Sequence, residues 1–264
     1  MPRKMPIKTI EAPAPTPIIV KVSPSMTILI ALLVIQSFFL GSVWSRVRIL
    51  EGKSGLAGGG AVANQPSAPL AAPTLGSAEN LQPLQKDDHI RGDAQARIIL
   101  FEYSDLECPF CKQFHPTAKQ AVDEYKGQVA WVFRHFPLDN LHSKARNEAE
   151  ASECAHSLGG RDTFWKFIDK VYEVTPANNG LDPAELPKIA SQTGVNQSAF
   201  TTCLASRKFK QIVEDDYQSG LKAGISGTPG NILLDTKTGK TSVIPGAVPY
   251  AQLKQAIDAL ITSK

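Results

Sequence analysis

The amino-acid sequence predicts an α/β domain interrupted by an all-helical insertion and preceded by a transmembrane helix and a flexible linker. Three observations predict this. Residues 26–44 run uncharged for 19 positions, residues 97–135 read as strand, helix, strand, and residues 143–222 hold successive helical patterns with no strand among them. Two short strands and a closing helix complete the chain.

With 264 residues, 42% hydrophobic and 20% charged, the composition is that of a globular protein and excludes disorder throughout. Lys and Arg number 7 against 3 Asp and Glu in residues 1–85, and 21 against 22 from residue 86 onward. The basic excess is therefore N-terminal. A nearly neutral C-terminal region excludes a nucleic-acid-binding surface, which needs clustered cations to displace counterions from phosphates.

Residues 1–25 place Arg3, Lys4, Lys8 and Lys21 among Pro2, Pro6, Pro13, Pro15, Pro17 and Pro24, the pattern of a disordered tail. Residues 26–44 (MTILIALLVIQSFFLGSVW) would span about 28 Å as a helix, close to the roughly 30 Å of a bilayer core. Gln36 is their only strongly polar side chain. A cleaved signal peptide is the alternative, but Ala61-Val62-Ala63 lies far beyond the apolar run, so the segment reads as an anchor. Residues 45–85 form the linker. From 51 to 85 they are rich in Gly, Ala, Pro and Ser, with a typical reach of about 30–35 Å. Basic residues flank the span on both sides and scarcely orient it. The cysteines do: an oxidised domain belongs outside the cytoplasm, which puts the short tail inside and makes the chain a single-pass protein of the cell membrane.

The folded domain is expected over 86–264. Residues 97–103 (RIILFEY) form a near-continuous apolar run, as in a strand buried on both faces. A helix follows over about 109–126, because Pro suits a first turn and Phe114, Ala118, Ala121, Val122 and Tyr125 recur at helical spacing. Residues 129–135 are a second strand, parallel to the first in a βαβ unit. Helices are predicted over 143–158, 163–173, 183–192, 198–205 and 208–222, strands over 231–234 and 241–244 around a Lys237-Thr238-Gly239 turn, and a last helix over 250–261.

Cys108-Pro109-Phe110-Cys111 stands between a buried strand and a helix start. There the unsatisfied N–H groups and partial positive charge of the helix favour thiolate over thiol, making Cys108 the nucleophile and leaving group. Cys111, about one turn further, would resolve mixed disulfides. The competing reading is a zinc half-site with His115 as third ligand, but a fourth ligand is missing and no metal is expected. Four cysteines, one close pair and the isolated Cys154 and Cys203, suit two disulfides in an oxidising compartment. His115, His135 and His142 have no evident partner and read as structural or surface residues.

Residues 101–115 (FEYSDLECPFCKQFH) and 132–138 (VFRHFPL) resemble the DsbA-like thioredoxin-fold family, in particular its anchored extracytoplasmic members related to BdbD. The likeness runs from about residue 86 to 264. It implies a thioredoxin fold with the helical insertion at about 139–224, and a protein thiol-disulfide oxidoreductase without cofactor. It also implies that Cys154 and Cys203 pair, that Pro229 of Gly227-Thr228-Pro229-Gly230 is a cis-proline, and that Thr228 presents its backbone to an extended substrate. Glu102, six residues before Cys108, is implied as the proton-transfer group for Cys111. A carboxylate inside RIILFEY would be desolvated in any case, which raises its pKa toward neutrality. A surface-facing Glu is the alternative. The expected partners are unfolded or reduced extracytoplasmic proteins and a quinone-linked membrane reoxidant of the DsbB or VKOR type. Phe110 stands where strongly oxidising relatives carry a His, which leaves disulfide isomerase and reductase open beside oxidase. A tethered zinc-binding or scaffold module is the reading from another class.

Overall fold

Strand β2 (Ile98–Ser104) is buried at every position because it lies in the middle of a five-stranded sheet with side chains packed over both faces. The computed structural model describes residue 78 and residues 80–263. The sheet order is β1 (His89–Arg91), β3 (Val129–His135), β2, β4 (Gly230–Asp235), β5 (Thr241–Pro245). β2 and β3 pair in parallel from Ile98↔Val129 to Ser104↔His135, as the βαβ reading requires. The β1–β3, β2–β4 and β4–β5 pairs are antiparallel.

The period of two along the strands sorts residues between two cores. Ile98 and Leu100 share one core with Trp131 and Phe133, and with Phe114 and Ala118 of α1 (Pro109–Tyr125) and Leu253 and Ile257 of α7 (Tyr250–Thr262). Ile99, Phe101 and Tyr103 belong to the other, with Val132, Phe136 and Ile232. Glu102, in register with Ile98 and Leu100, therefore falls on the α1 face.

Between β3 and β4 stand α2 (Ala145–Gly159), α3 (Arg161–Val174), a 3-10 turn (Pro183–Glu185), α4 (Leu186–Gln192), α5 (Gln197–Ala205) and α6 (Lys210–Lys222). This is the expected helical insertion. Phe164, Phe167, Ile168 and Phe200 join its helices to the first core. α6 comes so close to the opposite face that a Cβ on Gly220 would lie 2.6 Å from the Phe136 ring and 2.8 Å from Tyr103. Cys154 of α2 and Cys203 of α5 are disulfide-bonded, as the resemblance implied.

Two expectations need correction. The three-residue edge strand β1 was not foreseen, being too short to show a period. Residues 81–85, assigned to the linker, belong to the fold. Leu81 and Leu84 pack on the second core, and the buried Arg134 donates to the carbonyls of Gln82 and Pro83 at 3.0 Å each and to both carboxylate oxygens of Asp88 at 2.9 Å. The tail, the span at 26–44 and nearly all of the linker lie outside the described residues. Among the described residues no helix is long and apolar enough to cross a membrane.

Candidate active site

Cys108 is the N-cap residue of α1, with extended backbone (φ −78°, ψ 122°), and Pro109 follows in the first turn. The sequence folds this way because Pro supplies helical φ where its missing N–H leaves no bond unmade. Both thiols are free and buried. Across from Cys108 lies the Thr228-Pro229 peptide, which is cis, and Cys108 Sγ stands 3.5 Å from the Thr228 carbonyl oxygen. Cys108, Cys111, Thr228 and Pro229 thus form one site. Phe110 projects into solvent with 59% of its surface exposed.

The two thiols titrate very differently. The Cys108 pKa is lowered to about 6, chiefly by hydrogen bonding from the Cys111 thiol; burial works against this, and the Thr228 side chain and the backbone N–H groups of Cys111 and Phe110 add to the lowering. The neighbouring thiol therefore contributes more than the helix N-terminus on which the sequence expectation rests. Cys111 is pushed well above its ordinary value by burial, by hydrogen bonding to Cys108 and by the charges of Cys108 and Glu102. The surroundings thus favour the thiolate at Cys108 and the thiol at Cys111. Alkylation of Cys108 in the reduced protein is therefore expected to be constant above pH ~7 and to fall about tenfold per pH unit below ~6, as the thiolate is lost. A reactivity midpoint near 8.5, the free-cysteine value, would contradict this assignment.

Glu102 is fully buried, so the surface-facing alternative is excluded. Burial raises its pKa to about 8, against the opposing pull of the Ser104 and Trp131 side chains and with a further rise from Cys108. Ser104 Oγ donates to Glu102 Oε1 at 2.7 Å and lies 2.8 Å from Tyr172 Oη, while Glu102 Oε2 has no hydrogen-bond partner among the described residues. Ser104 also lowers the Cys111 pKa, against the larger effects that raise it. Sequence reasoning missed Ser104 and Tyr172. Ser104 could have been found two positions after Glu102, on the same face of β2. Tyr172 comes from the insertion and carries no local signal.

The loop before the thiols is held by another buried group. Asp105 accepts from the backbone N–H of Glu107 at 2.8 Å and of Leu138 at 2.8 Å, and its Oδ2 lies 2.9 Å from His142 Nδ1. Glu107 accepts from the N–H groups of Gly180 and Leu181, and its carbonyl from Asn178. Beside them burial, with Glu107 and Asp105, lifts the Glu148 carboxyl to about 10. This anchorage ties the thiol loop to the insertion. The acidic Asp105-Leu106-Glu107 run was its sequence signal.

His142, His135 and His115 are buried and partnered, where the sequence offered no evident partner and left a structural or a surface role open. His115 Nε2 stands 2.7 Å from Asp169 Oδ1. Among the described residues, Cys108, Cys111 and His115 do not gather at metal-ligating distance, which removes support from the zinc half-site.

A thioredoxin-type sheet, a Cys-Pro-Phe-Cys at a helix N-terminus and a facing cis-proline define the class of thiol-disulfide oxidoreductases. The thioredoxin family model matches residues 84–259, and the chain belongs to the DsbA-like thioredoxin-fold family. It is similar to the structure of DsbA2 from Pseudomonas aeruginosa, with 32% identity and a TM-score of 0.59, over 67% of this chain and 97% of that one. It is also similar in fold to BdbD from Bacillus subtilis, at 24% identity and a TM-score of 0.59, over 73% of this chain and 100% of the other. In sequence it matches Na(+)/H(+) antiporter NhaA 3 of Salinispora tropica, 32% identical over 160 residues, or 59% of this chain. The match spans only 24% of that antiporter's length.

Proposed function

We propose that the chain is a membrane-anchored disulfide oxidase acting on unfolded or reduced proteins outside the cytoplasm. The carrying observation is the split between the two thiols, an activated Cys108 facing Thr228-Pro229 and a buried Cys111 beside Ser104 and Glu102. A substrate thiolate attacks Cys108 Sγ of the Cys108–Cys111 disulfide. The S–S bond breaks, Cys111 leaves as thiolate, and it takes a proton from Glu102 through Ser104. A second substrate thiolate then attacks the substrate sulfur of the mixed disulfide, and Cys108 leaves as a stabilised thiolate. The substrate is oxidised by two electrons and the enzyme is left as the dithiol.

Support for the anchor is the uncharged run at 26–44, and for the compartment the Cys154–Cys203 disulfide, which an oxidising medium preserves. The extended substrate segment would pair with the Thr228 backbone, in the manner of a strand added at an edge. A quinone-linked membrane protein of the DsbB or VKOR type would return the dithiol to the disulfide. Isomerase or reductase action is the second reading, favoured by Phe110, whose hydrophobic ring cannot donate a hydrogen bond to the thiolate as a His can. The Cys108 pKa of about 6 lies between the values of about 3.5 for DsbA and about 7 for thioredoxin.

The test is oxidation of a reduced, unfolded reporter by the oxidised full chain, in detergent and without glutathione. One substrate disulfide should form per chain in the wild type and none in Cys108→Ala. Equal reporter oxidation by both would overturn the enzyme reading.

A further inference from the structure

The fold brings His89 of β1, His135 at the end of β3 and Glu153 of α2 to one point. All three are buried. His89 Nε2 stands 2.7 Å and His135 Nε2 2.9 Å from the same Glu153 oxygen, Oε1, and the three groups offer ligand atoms within 4.8 Å of one another.

Three features distinguish this cluster from an ordinary buried ion pair. Both imidazoles aim the same nitrogen at a single oxygen, so without a metal each Nε2 must carry a proton and one oxygen must accept both. A single cation between them would satisfy all three lone pairs at once. Surroundings are the second feature. Phe164 stacks on His89 at 3.5 Å and closes one side, whereas His89 and Glu153 line a cavity of about 310 Å³ in which Asp87, Asp88, Asp215 and Asp216 outnumber the cations Arg134 and Lys222 and leave it net acidic. Such an acidic mouth concentrates cations and gives water room to enter. Third, His156, one turn after Glu153 on α2, lies edge-on to His89 at 4.7 Å with its Nδ1 buried and unpartnered.

The donor set then selects the ion. Two imidazoles and one carboxylate suit zinc and similar first-row divalent metals, whereas calcium and magnesium prefer all-oxygen sets. At zinc–ligand distances of about 2.0–2.2 Å, tetrahedral ligands stand about 3.3 Å apart, so each imidazole–carboxylate separation must widen by about half an ångström, from ligand atoms that already lie within 4.8 Å of one another. We propose that His89, His135 and Glu153 form a binding site for a zinc-class divalent metal ion, with the fourth position filled by water from the acidic cavity. The ion would fasten α2 of the insertion to β1 and β3 of the core.

The experiment uses the full chain in detergent with Cys108–Cys111 oxidised, so that no thiolate competes. Chelator-stripped protein is dialysed against zinc and, separately, cobalt(II). Wild type is expected to retain about one zinc per chain, to melt at a higher temperature with zinc than without, and to give cobalt the strong visible bands of tetrahedral nitrogen and oxygen ligation. His135→Ala and Glu153→Gln, shown folded by circular dichroism, should retain none. Failure of stripped wild type to take up zinc would overturn the proposal, as would undiminished binding by either folded variant. If neither variant folds, the wild-type cobalt spectrum decides. Tetrahedral nitrogen and oxygen bands uphold the site, and their absence, or a thiolate charge-transfer band, overturns it.

Discussion

Glu102→Gln should make the reduced domain more stable and less active, and the stability gain should grow with pH. In the unfolded chain this carboxyl titrates at its ordinary value of 4.5, and in the fold at about 8. Between those values the folded protein holds about one proton more than the unfolded one, so the Glu102 contribution falls as pH rises through that window and is fully unfavourable above it. Gln cannot ionise and escapes the penalty. The gain is expected to be on the order of 4 kcal/mol at pH 8.5 and close to nothing at pH 4.5. Exchange at pH 7 should slow by about 100-fold, the lower range for loss of a general acid–base group. Denaturant unfolding at the two pH values checks the first part and stopped-flow oxidation of a thiol substrate the second. A stability difference independent of pH would show that Glu102 does not carry a raised pKa. Ser104→Ala separates the roles, since it interrupts the proton path yet leaves the Glu102 carboxyl buried; it should slow exchange without the pH-dependent gain.

Removing the Cys154–Cys203 bridge should cost about as much as Glu102→Gln gains. The bridge closes a separation of 49 residues, for which chain entropy gives roughly 4 kcal/mol. For a domain of this size that lowers Tm by about 8–16 °C. Both sulfurs lie in the core with Phe164 and Phe200, so Cys154→Ala/Cys203→Ala also loses packing. Well below its Tm the double variant should still oxidise the reporter, because α1, which carries the thiols, is not part of the bridged pair. An unchanged Tm would mean that the insertion does not depend on the bridge.

Sequence pattern revealed those parts of the fold whose physics is local. Residues 98–103 of the RIILFEY run are buried in β2, the helix after Cys108 begins at Pro109, and the 231–234 and 241–244 strands pair as an antiparallel hairpin. Long-range features were less legible. β1 exists because β3 offers it an edge, and residues 81–85 are ordered by Arg134, about fifty positions away; neither leaves a periodic trace. At the site, Cys108 and Thr228-Pro229 face each other and Glu102 is buried within β2, the placements their positions suggested. Tyr172 does not announce itself, since a tyrosine in a helical pattern looks like any other core residue. The same holds for His89, His135 and Glu153, which lie 46 and 18 residues apart along the chain and converge only when β1, β3 and α2 pack.

The central claim, that Cys108 and Cys111 form a reversible redox pair, is tested most directly by equilibrium titration of the full chain against glutathione, with trapping and mass mapping of all four cysteines. Cys108 and Cys111 should interconvert together, at a potential more negative than the −120 mV or so of DsbA, while Cys154–Cys203 stays oxidised throughout. A Cys108–Cys111 pair that does not respond to glutathione, or a titration carried by Cys154 and Cys203 in its place, would contradict the account.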